Sequence, residues 1–493
     1  MTLSGGASSA TTLWNSIDWN ATESHVRRLQ IRIAKAVREG RWGKVKALQR
    51  LLTHSHSAKL LAVKRVTQNR GRHTPGVDGT IWRLSNQKWL AALALTNRGY
   101  QALPLRRIYI PKKNGKKRPL GLPVMHDRAM QALFLMALEP VAETRADIHS
   151  YGFRPGRSTA DAVERCFNVL CKRTCAQWIL EGDIKGCFDN IDHGWLYEHI
   201  PMERKVLRQW LTSGYLEGKT LFPTLTGTPQ GGVISPCLAN MALDGLEDVV
   251  AGITKPSDKV HVIRYADDFV VTGTSREILE HRIKPVIEAF LAERGLRLSE
   301  EKTLITSIHE GFDFLGFNVR KYGRKLLIKP SKDSIKSFLC GIREEIRRSV
   351  GLPTIGLIRR LNQKIRGWVN YYRHVVAKRA FRFVDYVIFW AVWKWSRRCH
   401  PNKSASWRYR KYFAGQGKRR WSFHANFGTK DGGVRVLPLI QASDTPIRRH
   451  RQLIAAAIPY DPAFFAYFKD RSRKVAMLSP WTTGSFHDDL LRA

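Results

Sequence analysis

Two apolar runs in this chain each end in aspartate. Trp178-Ile179-Leu180 leads through Glu181-Gly182 to Asp183, and Val260 to Tyr265 leads through Ala266 to Asp267-Asp268, after which Phe269-Val270-Val271 resumes the apolar pattern. Short runs rich in β-branched residues read as strands, and the second set reads as a hairpin with two acidic groups at its turn. A carboxylate at the end of a buried strand loses hydration unless a cation compensates it. A lone aspartate pair is ordinarily an exposed turn, but a second aspartate-terminated strand turns the reading toward a shared site. Hard oxygen donors from two strands suit Mg²⁺ when it also holds phosphates. Two such ions can activate a hydroxyl nucleophile and stabilise a leaving pyrophosphate.

The charge balance points to the same class of partner. Lys and Arg number 83 against 41 Asp and Glu, a formal +42, and a field of that sign attracts polyanions, nucleic acid before an anionic membrane surface. No stretch approaches the roughly 18 uninterrupted apolar residues of a membrane span. The most apolar part of the C-terminal half, Phe381 to Trp395, is broken by Arg382, Asp385 and Lys394. The N-terminus lacks a basic segment followed by an apolar one, which argues against secretion. Seven cysteines form no CxxC pair and read as reduced thiols of a cytoplasmic protein. Cys166, Cys171 and Cys175 have no second half-site to complete a metal centre.

At 493 residues the chain calls for more than one domain. Residues 22 to 66 carry a helical period with many basic residues. Arg107 to Pro111 and Arg118 to Gly121 read as two strands joined by a basic turn at Asn114-Gly115. Apolar residues at helical spacing follow from Ala129 to Val141, Ile278 to Gly295 reads as a helix, and Gly311 to Val319 with a turn at Lys321 to Arg324 reads as a hairpin. Residues 331 to 400 are mostly helical in pattern. From Ser331 to Ala493 there are 33 basic and 10 acidic residues, so positive charge is densest in the last third, which also holds seven of the 15 tryptophans. Basic residues interleaved with aromatics suit backbone contacts and base stacking, although tryptophans at helical spacing also build cores.

With these residues in view the chain resembles reverse transcriptases, and among them the group II intron maturase family. The resemblance runs in order through Arg107 to Gly121, Tyr151-Gly152-Phe153-Arg154-Pro155-Gly156-Arg157-Ser158, Asp183 to Phe188, Gly227-Thr228-Pro229-Gln230-Gly231-Gly232 and Tyr265-Ala266-Asp267-Asp268. It continues through Leu298 to Thr303, Phe314-Leu315-Gly316-Phe317 and Gly367-Trp368-Val369-Asn370-Tyr371-Tyr372. It implies an α+β right-hand polymerase of fingers, palm and thumb, with basic N- and C-terminal extensions. The expected domains are a basic helical extension at 1–66, fingers and palm at 67–330, a thumb or maturase domain at 331–430 and a DNA-binding segment at 431–493.

The resemblance also implies roles. Asp183, Asp267 and Asp268, with the carbonyl of Ile184, would hold two Mg²⁺ ions. Lys112 and Arg118 would meet the triphosphate of an incoming deoxynucleotide, Phe188 would close on the sugar 2′ position, and Gln230 and Gly231 would let backbone approach base and sugar. Lys302 matches a mobile lysine near the pyrophosphate, and Phe314, Leu315, Gly316 and Phe317 would grip the primer end. Arg27, Arg28, Arg32 and Lys35 offer a basic helical face for intron RNA. Pro446 to Pro462 resembles the segment that contacts target DNA in the longest members. Those members finish in a nuclease domain marked by paired cysteines and histidines, whereas no cysteine here follows Cys399.

The implied activity is copying RNA into DNA on a nicked or cleaved target, within a nucleoid-associated cytoplasmic ribonucleoprotein that also promotes splicing. Two other readings stay open on sequence alone. One is an RNA-binding splicing cofactor with little polymerase activity. The other is a domesticated relative serving repair or antiviral defence.

Overall fold

The computed structural model describes residues 4–111, 115, 117–413, 415, 421–428 and 433–478. The chain divides into two compact units. One combines residues up to Ala162, Leu180–Ile305 and the chain from Leu453 on; the other combines Val163–Ile179 with Thr306–Gln452.

The first unit begins with the helices α1 (Ser4–Asn15), α2 (Trp19–Arg38), α3 (Trp42–His54) and α4 (His56–Gln68). Asp18 caps α2 by accepting from the Ala21 amide, which satisfies one of the amides left unpaired at a helix start. Val26, Leu29, Ile33 and Val37 fall on one face of α2 and are buried, as the 3.6-residue period requires. After α5 (Ser85–Ala94), that face packs on α6 (Met125–Arg145), which is buried around nearly its whole circumference. Gln30 and Gln49 donate to the carbonyls of Met136 and Ala137. Ile33 is fully buried, and truncating such a residue to alanine costs about 2–5 kcal/mol.

The strands between Leu105 and Ser307 are β1 (Leu105–Pro111), β2 (Lys117–Leu122), β3 (Trp178–Asp183), β4 (Tyr215–Glu217), β5 (Thr220–Phe222), β6 (His261–Tyr265), β7 (Asp268–Gly273) and β8 (Leu304–Ser307). One sheet runs β2-β1-β4-β5 and the other β6-β7-β3-β8. β1 and β2 pair antiparallel with Ile110 opposite Arg118, the hairpin expected from the sequence. The parallel pairing of β1 with the three-residue β4 lay below any periodic signal. The helix expected over Ile278 to Gly295 begins with a π-helical turn, Ile278–Ile283, before the α-helix Lys284–Ala292. Pro285 withholds an amide at that junction, which disturbs the regular ladder.

The second unit holds β9 (Phe312–Phe314), β10 (Phe317–Tyr322) and β11 (Lys325–Pro330), in sheet order β11-β10-β9. The hairpin expected with its turn at Lys321 to Arg324 is formed by β10 and β11, but its first arm, from Gly311, is broken because Leu315 and Gly316 both take positive φ, 51° and 79°. The helices α7 (Lys332–Arg348), α8 (Thr354–Tyr372) and α9 (Lys378–Cys399) follow. Leu339, Ile342 and Ile346 of α7 are buried, as are Phe381, Val384, Ile388, Val392 and Trp395 of α9, and the two helices pack together. A hairpin of β12 (His424–Gly428) and β13 (Val434–Pro438) is fixed to α8 through Asn362. The Asn362 side chain donates to the Pro438 carbonyl and accepts from the Ile440 amide. No helix among the described residues is long and apolar enough to cross a membrane.

Candidate active site

Tyr265 pairs with Asp268 across the β6–β7 hairpin, so Ala266 and Asp267 alone make the turn. Ala266 sits at φ 58°, a left-handed conformation that costs an L-residue about 1–2 kcal/mol and must be held by its surroundings. The segment His149–Tyr151 supplies that hold. Arg264 donates its amide to the His149 carbonyl at 3.0 Å, and the Tyr151 amide donates to the Arg264 carbonyl at 2.8 Å. Gly152 then passes so close to the turn that a Cβ there would stand 2.3 Å from the Ala266 nitrogen. The glycine in Tyr151-Gly152-Phe153 is therefore a condition for the aspartate turn to form.

β3 lies beside β7 in the sheet and brings Asp183 to the same place as Asp267 and Asp268. Burial, then the carboxylate of Asp183, raise the pKa of Asp267. Asp268 has solvent-exposed surface, yet the surrounding protein first, and then Asp267 and Asp183, push its pKa up to about 6. Mutual repulsion of this kind marks carboxylates gathered for a cation or a shared proton. Lys302 meets the cluster: its Nζ donates to Asp183 Oδ2 at 2.8 Å, which raises the lysine pKa. The loop that carries it is tied to β3 by a 2.8 Å hydrogen bond from the Ser299 amide to the Asp183 carbonyl.

Among the described residues no three acidic, histidine or cysteine side chains converge as a closed metal cage. Mg²⁺ does not require one, since it retains waters and is bound through one or two carboxylates plus substrate phosphates. The oxygen-only donor set of Asp183, Asp267 and Asp268 fits that manner of binding. Ile184 is buried and bridged antiparallel to Leu298.

A further set of contacts surrounds Gln230. Arg118 Nε donates to Gln230 Oε1, and Gln230 Nε2 donates to Asp189 Oδ2, both at 2.9 Å. The Gly121 amide donates to the Gln230 carbonyl at 2.8 Å. Gly231, at φ 118°, would set a Cβ 2.8 Å from the Gly121 carbonyl oxygen, so only glycine lets β2 close on this loop. Phe188 is 8% exposed and meets Phe153 edge-on at 6.1 Å, while its carbonyl accepts from the Thr228 amide at 2.6 Å. Asp189 thus holds the Gln230 side chain, a contact that nothing in the sequence around Asp189 marks. Lys112 lies outside the described residues.

The block Phe314 to Phe317 belongs to the second unit. Phe314 and Phe317 are buried, which leaves Leu315 and Gly316 as its accessible part. The hydroxyls of Tyr371 and Tyr372 donate to the carbonyls of Leu315 and Gly316 at 2.9 and 3.1 Å, and Phe317 stacks on Tyr371 at 5.2 Å. The Phe-Leu-Gly-Phe and Trp-Val-Asn-Tyr-Tyr blocks are thus two halves of one structure.

On α2, Arg28, Arg32 and Lys35 are exposed on one face. Arg27 is engaged elsewhere: it donates to the Pro459 carbonyl at 2.7 Å and lies over the Phe465 ring. Arg38 pairs with Asp461 at 2.6 Å, and the buried Tyr460 hydroxyl donates to Glu139. The C-terminal stretch from Leu453 therefore returns to the N-terminal helices.

Comparison with known proteins agrees with this geometry. Residues 110–319 match the family described as reverse transcriptase (RNA-dependent DNA polymerase), residues 14–95 the N-terminal domain of reverse transcriptase, and residues 335–413 the group II intron maturase-specific domain. Protein YkfC of Escherichia coli is 35% identical over 325 residues, covering 56% of this chain and 84% of its own. The group II intron-encoded protein LtrA of Lactococcus lactis is 29% identical over 409 residues, covering 63% and 68%. The chain belongs to the group II intron-encoded reverse transcriptases. It is an RNA-directed DNA polymerase that carries a maturase domain. Reverse transcriptases of this family use divalent metal ions and bind RNA, and the right-hand α+β architecture is the one the matched domains specify.

Proposed function

We propose that this reverse transcriptase extends a DNA primer on an RNA template with two Mg²⁺ ions held by Asp183, Asp267, Asp268 and the Ile184 carbonyl. When bound, the ions supply activation of the primer 3′-hydroxyl and charge stabilisation at the leaving pyrophosphate. The protein's own groups do the rest. Arg118, fixed by Gln230, and Lys112 hold the triphosphate of a deoxynucleotide, because fixed positive charge stabilises negative charge as it develops. Lys302 stays protonated against Asp183 and can pass a proton to the departing pyrophosphate. Phe188, backed by Phe153, closes the space a 2′-hydroxyl would occupy. Leu315 and Gly316 support the primer end. Gathering of three carboxylates at the ends of β3 and β7, with Lys302 upon them, is the observation that carries this reading.

In the same proposal residues 67–330 act as fingers and palm, 331–430 as thumb, and 431–493 as a segment for target DNA. Arg28, Arg32 and Lys35 hold intron RNA, so that the ribonucleoprotein splices its intron and copies it at a cut target near the nucleoid. Primer extension by Asp267→Asn tests the catalytic assignment. A loss of about 10²-fold or more is expected, because a ligand that stabilises transition-state charge is removed. Extension within a few-fold of wild type would refute it.

A further inference from the structure

A concavity in the first unit contains none of the candidate catalytic, nucleotide or RNA-binding residues described above. It has a volume of about 990 Å³ and is walled by α3, the loop Asn97–Tyr100, and the segment from Tyr197 to Gln209, with Phe134 and Ala137 of α6 lining it. Five cations line it: Lys46, Arg50, Arg98, Arg204 and Lys205. All five are exposed, and among the described residues none of their charged ends meets a hydrogen-bond or ion-pair partner. Surface cations in an ordinary solvated face are dispersed; here five border one recess that holds two carboxylates, Glu198 and Glu203. Glu203 is already engaged by Asn97 Nδ2 at 2.8 Å.

The interior of the recess is fixed in advance. Phe134 is 4% exposed and packs edge-on against Trp210 at 5.6 Å. The Tyr100 hydroxyl donates to Asp127 and accepts from Trp210 Nε1, both at 2.7 Å, and Gln209 Nε2 donates to the Tyr100 carbonyl at 2.7 Å. A rigid lining leaves little ordering to be done on binding, which favours affinity. Tyr197 and His199 present rings at the wall, the latter stacked on Trp195 at 4.2 Å. The volume falls within the range of small-molecule sites. Aromatic wall, fixed interior and a border of five cations together suit a base with phosphate attached.

We infer that this recess binds a phosphorylated nucleotide, either free or as one unit of an RNA strand, at a site separate from the carboxylates. The inference does not depend on the catalytic proposal. The test uses the full chain in EDTA, titrated with a fluorescent ATP analogue and, in parallel, with a 5′-labelled single-stranded RNA decamer. Wild type is compared with an Arg50→Glu, Arg204→Glu double variant. At least one ligand should bind saturably, and the variant should weaken it by about tenfold or more, because two phosphate contacts are reversed. Loss for the ATP analogue assigns free nucleotide; loss for the decamer alone assigns a nucleotide within a strand. Extension of a short annealed primer should stay within about twofold. Photocrosslinking wild type with 8-azido-ATP and with a 4-thiouridine decamer gives an answer independent of the variant's folding: adducts should map to residues 46–54, 97–100 or 197–205. No saturable binding by either ligand, equal affinity in a variant that extends normally, or adducts confined to other residues would overturn the inference.

Discussion

The glycines beside the aspartate turn and those inside the helices of the second unit meet different surroundings, and the difference separates a site built on backbone contact from helix faces built of side chains. In the first unit Gly152 and Gly231 stand where a Cβ would strike backbone atoms, at 2.3 and 2.8 Å. Both lie against the turns that present Asp267 and Gln230. In the second unit Gly341 of α7 and Gly367 of α8 have nothing within 4 Å of a Cβ position. The second unit instead exposes side chains such as Phe383, Tyr386 and Trp390 on α9, which are 52%, 62% and 44% exposed, beside the exposed Arg379, Arg382 and Lys394. Chemistry on a phosphoryl group requires placement to within a fraction of an ångström, and close backbone packing provides it. Contact with a long polyanion requires charge and adaptable surface.

The sharpest way to break this comparison is to give both kinds of glycine a methyl group. Gly152→Ala should displace the aspartate turn and lower primer extension by about tenfold or more, as a small misplacement at a reacting centre does. Gly341→Ala should leave extension unchanged and raise thermal stability by about 0.5–1 kcal/mol, through helix propensity. Equal effects of the two in extension assays would remove the distinction. Next in size is Phe188→Ala. It should raise the ratio of ribonucleotide to deoxyribonucleotide kcat/KM by about tenfold, as the proposed role of its ring at the sugar requires. An unchanged ratio with activity retained would leave Phe188 a packing residue against Phe153.

Arg28→Glu with Arg32→Glu should weaken structured RNA binding several-fold at about 0.1 M salt and flatten the dependence of log affinity on log salt. Extension on an annealed primer should be unaffected. A variant with the wild-type salt slope would show that the α2 face does not meet RNA.

The smallest expected effect concerns Asp244, which pairs with the fully buried Arg264 of β6. Burial pushes its pKa up to about 6, with Arg264 opposing the shift. A carboxyl raised in the folded state binds more protons there than when unfolded. Its contribution to stability is therefore complete below pH about 4 and is lost as pH rises through about 6. Asp244→Asn should flatten the fall in stability between those values, measured as denaturation midpoints against pH. An undiminished slope would show that another group titrates.

Much of the fold was legible because it rests on local pattern. The two aspartate-terminated strands, the β1–β2 hairpin and the helical run after Ser331 each follow from period and turn chemistry within a few residues. What could not be read has no local period. Asp189 reaches Gln230 across 41 residues, and Arg27 reaches Pro459 across 432. The contact of the exposed Arg27 with the Pro459 carbonyl and the Phe465 ring has no signal in the sequence of α2 itself. The role of Gly152 was likewise hidden, since the turn it admits lies more than 100 residues later.

Asp267→Asn with Asp268→Asn, assayed side by side for primer extension and for affinity to structured RNA, separates the two halves of the molecule's function most directly. Extension should be abolished while RNA affinity stays within about twofold of wild type, because neither aspartate adds a cationic contact to the backbone. Extension that persists within a few-fold, or RNA affinity that collapses together with it in a folded variant, would contradict a carboxylate centre distinct from the RNA-binding surface.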